Sequence, residues 1–113
     1  MIIVTALPPP GPTTPGFLDA ARLQAVCADS GPEAAPARAF CLGYVMSVAD
    51  QVLARPPRRT GPMVCPPADF TGKAAVEAVQ RYGRYADKGV SATEFVRFAL
   101  GRAYPCPIER TRP

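Results

Sequence analysis

The sequence predicts an all-α domain, and three observations carry that reading. Apolar residues recur at steps of three and four in several segments, runs of alternating β-branched residues are absent, and Pro or Gly clusters separate the periodic stretches. The segment that organises the rest is Phe40-Cys41-Leu42-Gly43-Tyr44-Val45-Met46-Ser47-Val48-Ala49-Asp50. Cys41, Tyr44, Val45, Val48 and Val52 share one helical face, as expected of a central buried helix. Gly43 in its middle costs about 1 kcal/mol relative to alanine, so a second backbone is expected close against it. Tyr44 is expected to be structural. Asp50, the polar end of an apolar element, is expected to hydrogen-bond a neighbouring helix end.

Taken in order, the elements are four helices. Residues 1–16 form a Pro-rich leader, because PPPGPTTPG at 8–16 suits neither a helix nor a central strand. The leader's apolar start has no basic n-region and stops at Pro8, too short for a signal core, so it reads as a signal remnant or a mobile lead-in. The helical domain occupies 17–107. Its first helix covers 17–28 with Leu23, Val26 and Cys27 inward, and Asp29-Ser30-Gly31-Pro32 breaks it. Pro36 suits the first turn of the second helix, where a missing N–H does no harm, and Pro56-Pro57 stops that helix after Ala54. Thr71 is placed to cap a third helix over 72–87, whose apolar face is Ala75, Val76, Val79, Tyr82 and Ala86. Glu77 and Arg81 have the spacing of a favourable i,i+4 pair on its outer side, worth roughly a few tenths of a kcal/mol. Ser91-Ala92-Thr93-Glu94 is a capping box, and Ala92, Phe95, Val96, Ala99, Leu100 and Ala103 follow as the cleanest amphipathic stripe. Tyr104-Pro105-Cys106-Pro107 ends it, and 108–113 read as a frayed tail.

A chain of 113 residues is one domain, and with 48% apolar residues it can build a core. Alanine and proline inflate that share and there is no tryptophan, so the core is thin and staples are expected. Four cysteines supply them. Their gaps of 13, 23 and 40 residues match no zinc pattern, and there is no histidine to complete a mixed site. Four cysteines allow three connectivities. The helix order favours Cys27–Cys41, across the turn of one helical hairpin, and Cys65–Cys106, at the adjacent ends of a second. Disulfides imply an oxidising compartment such as a periplasm.

Thirteen basic residues against nine acids give a net charge of +4, but no aromatics interleave with them, so no nucleic-acid partner is expected. No stretch approaches a membrane span. The lack of histidine removes the commonest general base, and the cysteine pairing removes a free nucleophile. There is no G-x-S-x-G, phosphate loop, H-E-x-x-H or calcium loop. A non-enzymatic protein without metal or cofactor is expected. Partner contacts are expected on loops: Arg58, Arg59 and Met63 between the second and third helices, and Asp87 and Lys88 before the fourth.

Cys27, then Phe40-Cys41-Leu42-Gly43-Tyr44-Val45 with Asp50, then Cys65-Pro66-Pro67, then Ala99-Leu100 with Tyr104-Pro105-Cys106 occur in that order. This array resembles the Tai-type immunity proteins, which protect bacteria from type VI secretion amidase effectors. Ser47 departs mildly, standing where that family tends to have a second glycine. The resemblance implies a compact helical fold with intramolecular disulfides, a periplasmic location and frequent homodimerisation. It further implies binding to a peptidoglycan amidase of the Cys-His type, whose active-site groove is occluded by a protruding loop. Two other readings are a small periplasmic helical chaperone and an adaptor of unknown partner. An acid-triggered chaperone needs many carboxylates titrating together, and nine acids under an excess of base suit that poorly.

Overall fold

The computed structural model describes residues 17–54 and 64–107. They form α1 (Ala20–Ala28), α2 (Ala35–Ala54), α3 (Gly72–Tyr82) and α4 (Ala92–Ala103), with a 3-10 turn at Gly83–Tyr85 between α3 and α4. Among the described residues the only β-type pairings are two isolated bridges, Asp19 with Ser91 and Val64 with Pro105. The all-α, doubly stapled domain expected from the sequence is the observed fold. The leader and the tail lie outside the described residues.

Three helices start where a short polar side chain takes a free N–H. The Asp19 carboxylate accepts from Arg22 N–H at 2.8 Å, Thr71 Oγ1 from Ala74 N–H at 3.1 Å, and Ser91 Oγ from Glu94 N–H at 3.2 Å. The α1 start is therefore later than the sequence suggested, because Asp19 is a better cap than anything at Phe17. Helix α3 is shorter than 72–87, giving way to the tighter turn at Gly83. A side chain at Gly83 would meet the Phe95 ring, with Cε1 at 2.9 Å, and Phe95 is fully buried. Glycine lets the α3 end close onto the central ring of α4.

The core is built from one side of each helix: Ala20, Leu23 and Cys27; Cys41, Val45, Val48 and Ala49; Ala75, Ala78 and Val79; and Ala92, Phe95, Val96, Ala99 and Leu100. The faces read from α2 and α4 are thus the buried ones, with Tyr44, Val52 and Ala103 partly buried at their edges. Alanines dominate, and Phe95 is the largest fully buried side chain, worth about 1.5–3 kcal/mol in burial.

Polar ties fasten the helices at their ends. Ala20 N–H donates to Val90 O at 3.0 Å and Ala92 N–H to Leu18 O at 2.9 Å, so α1 and α4 enter the domain side by side. Gln80 Nε2 donates to Cys27 O at 2.9 Å, satisfying a carbonyl at the end of α1. Tyr44 Oη and Thr93 Oγ1, 3.2 Å apart, join α2 to α4. Both disulfides are those the helix order favoured, Cys27–Cys41 and Cys65–Cys106. Two formed bridges fit an oxidising compartment.

Two expectations about α2 fail. Gly43 is exposed, and a Cβ there would find nothing within 4 Å, so no second backbone lies against it. The close approach to α2 is made at Gly72 instead, where a Cβ would stand 2.6 Å from Met46 Sδ and 3.1 Å from Leu42 Cδ1. Asp50 is exposed and hydrogen-bonds no helix end among the described residues. The Glu77–Arg81 pair is not formed either; the ion pair found joins Glu94 to Arg97 at 3.9 Å.

Candidate partner-binding surface

The described residues bury no polar or charged side chain, and no group of three or more His, Cys, Asp or Glu among them could hold a metal ion. Of the five loop residues singled out in the sequence, Arg58, Arg59 and Met63 lie outside the described residues. Asp87 and Lys88 are exposed in the turn before α4, and that turn uses both. The Asp87 carboxylate accepts from Gly89 N–H at 2.8 Å. Lys88 Nζ donates to Gly83 O at 3.3 Å and Arg84 O at 3.5 Å, and stands 6.0 Å from the Phe95 ring centroid. These two shape the turn as well as face solvent. Beside them a shallow cleft of about 240 Å³ is lined by Ala86, Asp87, Val90, Glu94 and Phe98.

What sequence reasoning missed is the outer side of α2. Leu42, Met46 and Leu53 are exposed by 39%, 43% and 40%, and their spacing of four and seven residues puts them on one stripe. Phe40 is half-exposed on a different flank, stacked on Tyr44 with ring centroids 6.2 Å apart. The signal was available, since α2 is apolar on nearly all sides, which in a globular protein marks a helix covered all round. Here one side faces solvent. The stripe abuts Gly72 at the start of α3, so it borders the connection leading from α2 to α3.

The far base of that connection is tightly held. Cys65 N–H donates to Tyr104 O at 2.8 Å, Val64 bridges to Pro105, and the Phe70 ring meets the Tyr104 ring edge-on at 5.1 Å. Cys65–Cys106 closes the same junction covalently. Cys65-Pro66-Pro67 and Tyr104-Pro105-Cys106, two of the sequence signatures, are thus two sides of one joint. An exposed apolar stripe that reaches the start of α3 is suited to protein contact.

No curated protein and no solved structure matches the chain. A family model does: that of the Rap1a immunity proteins, over residues 19–106. The matched span starts at the Asp19 cap of α1 and ends at Cys106, the last half of the second disulfide, so it covers all four helices and both bridges. The chain belongs to the Rap1a immunity protein family.

Proposed function

We propose that this immunity-family chain is the periplasmic antidote to a type VI secretion effector that cleaves peptidoglycan amide bonds, and that it acts by plugging the effector's active-site groove. The observation that carries the reading is the family match over 19–106, refined by the Tai-like array from Cys27 to Cys106. The disulfides favour an oxidising compartment, where a wall hydrolase would have to be met. No helix among the described residues is long and apolar enough to cross a membrane.

Inhibition by plugging needs a scaffold that loses little freedom on binding. Two covalent bridges restrain the helices in advance, so less ordering entropy opposes association. A stable complex hides about 800 Å² on each partner, more than a loop tip alone supplies. The α2 stripe of Leu42, Met46 and Leu53 would provide apolar area, with Arg58, Arg59 and Met63 as proposed loop contacts. Asp87 and Lys88 are proposed as a second, smaller contact. A homodimer would compete for the same stripe.

The test is co-expression in a periplasm with the product of the neighbouring gene, followed by purification of the complex and a peptidoglycan hydrolysis assay. Co-purification with loss of wall hydrolysis supports the proposal. A neighbour that is no wall hydrolase, or no complex at all, would leave the chaperone and adaptor readings.

A further inference from the structure

The two disulfides stand in opposite surroundings. Cys27 and Cys41 are 6% and 1% exposed and sit inside the core cluster. Cys65 is exposed and Cys106 half-buried, and neither belongs to that cluster. Thiol–disulfide exchange requires a thiolate to reach a sulfur, so access decides which bridge reacts. We infer that Cys65–Cys106 is a thiol–disulfide exchange site that takes a dithiol reductant, while Cys27–Cys41 is a sealed structural bridge.

A thiolate of the dithiol attacks the sulfur of Cys65, which belongs to the more exposed residue of the pair. The Sγ–Sγ bond breaks and its electron pair leaves on the Cys106 sulfur, which takes up a proton. The second thiolate of the reagent then attacks the mixed disulfide and releases Cys65. The dithiol loses two electrons and becomes a disulfide, and the protein bridge becomes two thiols. The same attack on Cys27–Cys41 must wait for α1 and α2 to part, so its rate is scaled down by the small open fraction.

Reduction of the outer bridge does not dismantle its junction at once. The Cys65 N–H to Tyr104 O bond, the Val64–Pro105 bridge and the Phe70–Tyr104 contact remain as its non-covalent hold. None of the core side chains contributed by the four helices is attached through it. The outcome is a joint between the α3 approach and the α4 exit whose tightness follows redox state, on a helical body that stays folded at lower stability.

Differential alkylation of the native, oxidised full chain tests it. Samples held in graded dithiothreitol are trapped with iodoacetamide at intervals, mapped by peptide mass, and followed in parallel by far-UV circular dichroism. Expected is a species labelled at Cys65 and Cys106 only, formed roughly ten-fold or more faster than label enters Cys27 and Cys41, with the helical signal kept. Equal rates, earlier labelling of Cys27 and Cys41, no native-state labelling of either pair, or loss of helix with the first bridge would each overturn it.

Discussion

Three glycines on α2, α3 and the 3-10 turn show how one residue type carries different weights. At Gly83 the added methyl would run into the Phe95 ring, which is fully buried and cannot swing aside. Gly83→Ala is expected to destabilise by about 1–3 kcal/mol, the range for overpacking a filled core, read as a lowered urea midpoint. Gly43 stands in the opposite situation, in mid-helix and with open space around it. Gly43→Ala should stabilise by about 0.5–1 kcal/mol, read as a raised midpoint, because only the glycine's entropic penalty is removed. A loss of stability at position 43 would mean that a neighbour does pack there. Gly72 lies between these cases, since the atoms its Cβ would meet belong to flexible Met46 and Leu42 side chains that are partly in solvent.

At the scale of the element, caps and faces decide. Ser91 caps α4 from the one side, its Oγ accepting from Glu94 N–H, while the Glu94 carboxylate lies 3.9 Å from Arg97. Ser91→Ala should therefore cost about 1 kcal/mol, measured by denaturant unfolding, and Glu94→Gln much less. Helix α2 makes the second case. Its inner face holds Cys41, Val45 and Val48 in the core, whereas Leu42 and Met46 keep about two-fifths of their surface in solvent. The double change Leu42→Glu with Met46→Glu is expected to leave the far-UV spectrum intact and to weaken capture of the effector at least ten-fold, which is about 1.4 kcal/mol. Size-exclusion chromatography of the same variant separates the two proposed uses of the stripe. A wild-type dimer that becomes monomeric, with capture unchanged, would assign the stripe to self-association.

For the whole molecule, the two bridges outweigh any single side chain. The chain-entropy view assigns about 3 kcal/mol to a loop the size of Cys27–Cys41 and about 4 kcal/mol to one the size of Cys65–Cys106. A domain's total stability is only about 5–15 kcal/mol, and this core rests mostly on alanines and valines, with two helix leucines and a single large ring. Complete reduction is therefore expected to lower the melting temperature by tens of degrees, at roughly 4–8 °C per kcal/mol for a domain of this size. A thermal scan in excess reductant that overlays the oxidised one would show that packing alone suffices.

The sequence by itself determined the helix count, the Thr71 and Ser91 caps and the buried faces of α2 and α4, and its helix order favoured the cysteine pairing that formed. These depend on spacing along a few turns and on the order of helix ends, which short connections convert into proximity. Only the tertiary structure decided that Gly72 and Gly83, and not Gly43, are the close approaches. It also decided that α3 stops at Tyr82, that Asp50 stays in solvent, and that Leu42, Met46 and Leu53 remain uncovered. Each of those outcomes turns on which non-local neighbour occupies the space beside a residue. A helical repeat shows which side chains share a face; whether another helix arrives to cover that face is settled by packing.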